Sequence, residues 1–190
     1  ARTIAFTLSD LHSAVSGAIG ALKGPLHGGA NEQAMKQFLE IRTPDQVEPW
    51  FRRIREHNQA HPDQKRLVMG FGHRVYKNGD HRAGILREWS IQLAKETGQG
   101  HWVELADRLQ KLVFEATGLH PNVDYPASYT YYQLGIPVQF YTPIFVCARV
   151  AGWCAHVIEQ LGNNRLMRPL SEYIGPAVRQ VTSIDERRPG

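Results

Sequence analysis

Trp102-Val103-Glu104-Leu105-Ala106-Asp107-Arg108-Leu109-Gln110-Lys111-Leu112-Val113 is the stretch that decides the fold class. Its apolar residues Trp102, Leu105, Leu109, Leu112 and Val113 return every three or four positions, the period of one helix face, and Gly118 supplies a stop. The same period appears on both sides of it. Ile85, Leu86, Trp89 and Leu93 mark a helix just before it. Further upstream, Val47, Trp50, Phe51 and Ile54 share one face of a helix opened by Asp45, and Arg52, Arg53, Arg55 and Glu56 on its other face read as a solvated stripe. Asn31 is placed to cap a helix bearing Ala34, Met35, Phe38 and Leu39. Leu8, Leu11, Val15, Ile19 and Leu22 outline the first helix, closed by Lys23-Gly24-Pro25. Residues 57–65 form a polar break, and residues 119–126 must be extended or turning around Pro121 and Pro126. A short helix then runs to Leu134, the longest apolar run spans residues 143–161, and a proline-bearing tail without a pattern follows. No stretch alternates with a period of two. The fold expected is all-α.

The 190 residues, 42% hydrophobic and 21% charged, suffice for one core, or a core plus a small lobe. Lys+Arg of 22 against Asp+Glu of 18 leaves +4. That mild excess suits an enzyme of small anions and is thin support for a nucleic-acid partner, which would rest on Arg52, Arg53 and Arg55 alone. Cys147 and Cys154, seven apart, would stand roughly 10 Å apart on a helix, too far to bridge. They read as two buried thiols in a reducing compartment. The apolar run from Phe140 to Ile158 carries Arg149 and His156, so it reads as a buried helix of a soluble protein rather than a membrane span. With no secretory or transit pattern at the start, a cytoplasmic location is the expectation.

Three polar loops each set an ionisable residue beside glycine or proline at a helix boundary. His27, in Gly24-Pro25-Leu26-His27-Gly28-Gly29, precedes a helix N-terminus, where the dipole favours a neutral imidazole able to donate to an oxyanion. The bland reading is a capping histidine in a turn. His73 follows Gly70-Phe71-Gly72, whose glycines let backbone approach a ligand, although a lone G-x-G falls short of a dinucleotide fingerprint. Asp124 lies in Pro121-Asn122-Val123-Asp124-Tyr125-Pro126, apolar surroundings that raise a carboxylate's pKa and strengthen it as a base; alone it would be a turn-forming aspartate. Arg149 needs a partner, either an internal acid or a bound carboxylate, and Arg82 and Arg168 could join it as a clamp. Nine histidines invite a metal, yet His57 and His61 are interrupted by Pro62 and no H-E-x-x-H or paired-cysteine motif is present, so no metal is expected. A G-x-S-x-G elbow is likewise missing.

Together these loops resemble the citrate synthase family, including its 2-methylcitrate synthase branch. The residues that carry the resemblance are Leu22-Lys23-Gly24-Pro25-Leu26-His27-Gly28-Gly29-Ala30-Asn31-Glu32, Gly70-Phe71-Gly72-His73-Arg74-Val75-Tyr76-Lys77 with Asp80-His81-Arg82, and Pro121-Asn122-Val123-Asp124. Thr142-Pro143-Ile144-Phe145, Arg149, Gly152-Trp153 and Asn164-Arg165-Leu166-Met167-Arg168-Pro169 follow in family order. The resemblance implies a citrate synthase-like multi-helical fold in which residues 27–128 form a small, substrate-closing domain. Residues 1–26 and 129–190 would belong to the large domain and C-terminal tail. It implies condensation of acetyl-CoA or propionyl-CoA with oxaloacetate. Asp124 would be the base, His27 the donor to the thioester oxygen and His73 the donor to the oxaloacetate ketone. Arg82 and Arg149 would bind carboxylates, Phe145 would line the substrate pocket, and Arg168 would come from the other subunit of a homodimer. Leu67-Val68-Met69-Gly70-Phe71-Gly72 and Asn122 would hold CoA, a substrate, and no cofactor is implied. Asp80-His81-Arg82 stands where the family usually has Asp-Pro-Arg, which loosens the loop before Arg82 and reads as a branch marker. Roughly the first half of the family sequence has no counterpart here, including an upstream histidine that also holds oxaloacetate. A chain of this extent is expected to expose helices that the family buries.

Overall fold

The computed structural model describes residues 1–187. Among the described residues eight α-helices run α1 (Arg2–Ala5), α2 (Leu11–Leu22), α3 (Gly29–Ile41), α4 (Val47–Ala60), α5 (His81–Thr97), α6 (Gly100–Thr117), α7 (Asp124–Gln133) and α8 (Tyr141–Gly162), with one-turn 3₁₀ segments at Pro44–Gln46, Val138–Phe140 and Ile184–Glu186. Among the described residues the extended backbone amounts to one antiparallel bridge, Phe71 to Pro121. The all-α expectation holds.

Helix ends obey local chemistry. The Asp10 carboxylate accepts from the Ser13 N–H at 2.9 Å and caps α2. Gly98 and Gly118 close α5 and α6 in the left-handed conformation, at φ 69° and 68°. The polar break begins later than the sequence suggests, because α4 continues to Ala60 before His61 turns away.

The main core gathers α3, α4, α6 and α7. Met35, Phe38, Trp50, Ile54, Trp102, Leu105, Leu109, Tyr125 and Tyr129 are buried together. Phe38 is the hub: its ring centroid lies 5.3 Å from Tyr125, 5.5 Å from Tyr129 and 6.5 Å from Trp102, the spacings of tilted and edge-to-face aromatic pairs. The Tyr125 hydroxyl donates to the Ala106 carbonyl at 2.8 Å, so this tyrosine is buried without leaving its polar tip unpaired.

A second, small core joins the chain's ends. Ala5, Ala14 and Val157 pack α1, α2 and α8 together. Arg2 ties α1 to α8 through Gln160 at 3.1 Å and an ion pair with Glu159.

Around this second core the apolar periodicity misleads. In α2 the buried residues are Ala14, Ala18 and Leu22, while Leu11 and Ile19 of the predicted stripe are exposed and Leu8 lies outside the helix at φ 65°. Ile85 and Trp89 of α5 are exposed as well. The expectation of a buried α8 also fails: Tyr141, Thr142, Val157 and Gln160 are its buried residues, Cys147 is exposed and Cys154 only half-buried. The segment Val138–Gly162 is long and apolar enough to cross a membrane by length and composition. The physical reason for its exposure is a shortage of partners, since α8 packs on α1, α2 and the edge of α3, which cover a fraction of its circumference. Unpartnered apolar faces are what the resemblance implied for a chain of this extent.

Candidate active site

A cavity of about 600 Å³ opens between the α2–α3 loop, the segment 66–74, and the junction of α6 and α7. Phe51, Ile54 and Val113 give it an apolar floor continuous with the main core. Its polar lining includes His27, His73, Asn122 and Asp124, which is the composition of a small-molecule site.

His27 stands exposed two residues before α3, as predicted. Its loop is a tight knot in which the His27 N–H donates to the Gly24 carbonyl at 2.9 Å and the Gly29 N–H to the same oxygen at 3.2 Å. A Cβ on Gly29 would lie 2.5 Å from the Lys23 carbonyl oxygen, so backbone itself demands glycine there. Asn31 does not cap the helix, because α3 has already begun at Gly29. Fully buried, it donates instead from Nδ2 to the Asp124 carbonyl at 2.9 Å and stitches the His27 loop to the Asp124 loop.

His73 has its tautomer set by backbone. The N–H groups of Val75 and Tyr76 donate to Nδ1 at 3.0 and 3.1 Å, so a neutral ring carries its proton on Nε2. The Tyr76 ring stacks on the imidazole at 4.5 Å, and the Arg82 guanidinium lies over the Tyr76 ring at 5.3 Å.

Asp124 opens α7. Its N–H donates to Asn122 Oδ1 at 3.0 Å while Asn122 Nδ2 donates to the Gly72 carbonyl at 2.9 Å, which fixes the carboxylate loop against the His73 loop. Burial pushes the Asp124 carboxyl up to about 6, against the opposing pull of Arg149 and, less, of Arg82. A carboxylate so placed is a base near neutrality. Asp80 behaves in the opposite way. It is nearly buried, accepts from Arg82 Nε and the second guanidinium nitrogen at 2.9 and 2.8 Å, and also accepts from the Val123 N–H at 3.1 Å. The hydrogen bonds from Arg82 hold it below the usual carboxylate range.

The structure thus brings His27, His73, Asp124, Asn122 and residues 67–72 to one cavity. Arg82 and Arg149 lie outside its lining yet close enough to act on the Asp124 charge. Arg149 sits 5.5 Å over the Phe145 ring, one turn earlier on α8, and Glu159 is engaged by Arg2. Arg168 lies in the exposed tail and contributes nothing to the cavity wall. Sequence reasoning missed Asn31 and Asp80 as organisers, and it read Arg55 as solvated surface although Arg55 lines the cavity. For Asp80 a signal existed, since an Asp two before an Arg at a helix start can cap the helix and pair with the arginine at once.

The family described as citrate synthase, C-terminal domain, matches residues 1–170. 2-Methylcitrate synthase 1 of Corynebacterium glutamicum is 48% identical over 187 residues, 98% of this chain and 47% of that protein. Citrate synthase 2 of Bacillus subtilis is 46% identical over 187 residues, with 98% and 48% covered. A citrate synthase of the thermophilic archaeon Thermoplasma acidophilum, solved as a ternary complex with carboxymethyl coenzyme A and oxaloacetate, superposes with a TM-score of 0.83 at 41% identity, covering 98% of this chain and 49% of that one. The chain spans about half the length of the curated relatives it matches.

Proposed function

This chain belongs to the citrate synthase family, and from that premise we propose that its cavity serves the condensation of an acyl-CoA with oxaloacetate, giving citrate from acetyl-CoA or 2-methylcitrate from propionyl-CoA. The observation that carries the reading is one carboxylate, held near pKa 6 by burial, on the same cavity as two imidazoles. The Asp124 carboxylate takes the proton from the carbon next to the thioester. A ring N–H of His27 donates to the thioester oxygen as negative charge gathers there. The enol carbon then attacks the oxaloacetate ketone, whose oxygen is polarised by the Nε2–H of His73, and water cleaves the thioester to release CoA. Each oxyanion donor is worth on the order of 100- to 1000-fold in rate. Arg82 and Arg149 bind the oxaloacetate carboxylates, beside Phe145, and Arg168 reaches the site of a second subunit in a homodimer. Leu67-Val68-Met69-Gly70-Phe71-Gly72 and Asn122 hold the CoA nucleotide.

The same reading divides the chain. Residues 27–128 form a lobe that closes over the substrates, and residues 1–26 and 129–190 belong to the dimer-forming body. Two cores follow this division in part: one, centred on Phe38 and Tyr125, also takes in Tyr129 and Tyr141 from beyond residue 128, and the other joins Ala5, Ala14 and Val157. Similar identity to a 2-methylcitrate synthase and a citrate synthase supports both acyl chains, since one methylene changes pocket affinity by only about 1–3 kcal/mol.

The test is CoA-thiol release from acetyl-CoA and propionyl-CoA, with and without oxaloacetate, by the chain alone and with the upstream half of a family member supplied. Oxaloacetate-dependent release is expected, lowered about 100- to 10,000-fold by Asp124→Asn. Release that ignores oxaloacetate or survives Asp124→Asn overturns the mechanism. Binding of CoA without release in either form would identify a non-catalytic binding module instead.

A further inference from the structure

The segment 66–69 crosses the cavity wall without lying in a helix or a sheet, so something other than strands must hold its register. Two carboxamides do so. Gln37 of α3 donates from Nε2 to the Leu67 carbonyl at 2.7 Å and accepts at Oε1 from the Met69 N–H at 2.9 Å. This is the donor–acceptor pairing that one residue of a neighbouring strand would offer. From the opposite side, Asn58 of α4 donates to the Arg66 carbonyl at 2.9 Å and accepts from the Arg66 N–H at 2.7 Å. Beyond the strap, Gly70 and Gly72 are fixed by the bridge to His120 and Asn122. A Cβ on Gly70 would lie 2.7 Å from Tyr125 Cβ, so the strap is pressed onto α7 where it turns.

What remains free is informative. Between these anchors the Val68 N–H and carbonyl have no protein partner among the described residues. One donor and one acceptor on a single backbone residue, held at both flanks on a cavity wall, form a preorganised edge for a planar heterocycle.

We propose that Gln37 is the positioning residue of this edge: it sets the backbone of 67–69 for the nucleotide end of the acyl-CoA, with Asn58 as the second half of the clamp. The inference rests on the reading of this strap as the CoA holder. Gln37 lies outside the cavity lining, so its effect passes through the backbone and not through ligand contact. Asn58 lines the cavity and is the less clean test.

The experiment is calorimetric titration of the chain with CoA and, in parallel, with pantetheine, which lacks the nucleotide. Gln37→Leu and Gln37→Met, both close to the native volume, are compared with the parent after thermal unfolding shows them folded. Loss of both hydrogen bonds to the strap predicts CoA affinity about 30-fold weaker, with pantetheine affinity within twofold of the parent. Unchanged CoA affinity in both variants, or equal loss for CoA and pantetheine, overturns the positioning role while leaving the strap as CoA holder intact. If the parent itself binds CoA no better than pantetheine, the reading of the strap falls and the inference with it.

Discussion

Trp50 and Trp89 sit on helices of similar length with similar apolar spacing, α4 and α5, yet Trp50 is 1% exposed and Trp89 58%. The contrast extends to the regions around them. The α3–α4–α6–α7 cluster buries an aromatic core beneath the cavity and so holds His27, His73 and Asp124 with residues of its own. The helices α2, α5 and α8 leave Ile19, Ile85, Trp89, Ile158 and Leu161 facing out, and these helices carry or abut Arg82 and Arg149. A helical apolar stripe therefore marks a surface seeking cover, and the cover need not be in the same chain. The proposed base and donors are built on the covered region, the arginines proposed to bind carboxylates on the uncovered one.

Stability measurements give the largest expected effect. Trp50→Ala opens a void at the heart of the core and is expected to cost about 3–5 kcal/mol, read by urea unfolding. Trp89→Ala is expected to stay within about 0.5 kcal/mol in this chain, since little of its ring is removed from water. Equal costs would break the comparison. Supplying the upstream half of a family member should raise the cost of Trp89→Ala and leave that of Trp50→Ala unchanged, if the outer face of α5 is covered there. The buried Trp50 Nε1 has no partner among the described residues, so Trp50→Phe should cost less than the lost volume alone implies.

A smaller effect is expected at the seam between the regions. Asp80 joins Arg82 of α5 to the Val123 N–H just ahead of Asp124. Asp80→Asn weakens two charge-assisted bonds and frees the half-exposed guanidinium to swing toward water, which limits the cost to about 2 kcal/mol. Oxaloacetate affinity is expected to fall with it, because Arg82 loses its fixed direction. Full affinity in Asp80→Asn would show that α5 orients Arg82 unaided.

How far the sequence reveals this arrangement follows from the same physics. Helices α3, α4 and α6 were legible because their apolar periods meet one another, and the glycine and proline at their ends stop them sharply. The three ionisable loops were legible only together: each has a bland use alone, and their order along the chain carries the resemblance. The exposed faces of α2, α5 and α8 were not, since periodicity reports that a face is apolar and says nothing of what covers it. Asn31, Gln37 and Asn58 were hidden for another reason. A carboxamide on a helix is ordinary surface until a distant backbone arrives within 3 Å, and that arrival is a property of tertiary packing.

The finest test of the comparison is whether the uncovered region reaches the base at all. Asp124 is held near pKa 6 because burial disfavours its charge more than Arg149 and Arg82 favour it. Its folded-state pKa thus lies above the value of about 3.9 usual for an unfolded aspartate. Ionisation therefore costs the folded state more than the unfolded one, and stability should fall as pH rises from about 4 to about 6, a slope that Asp124→Asn removes. Proton abstraction needs the ionised form, so kcat/KM for the acyl-CoA should climb through about pH 6 and then level. Carbon-detected NMR of the Asp124 carboxyl would follow the titration without requiring turnover. Arg149→Leu removes the larger of the two opposing cations and should move the midpoint above 6; Arg82→Leu should move it the same way by less. A midpoint unmoved by Arg149→Leu would mean that α8, apolar and exposed, holds its arginine for the substrate alone and lends nothing to the base.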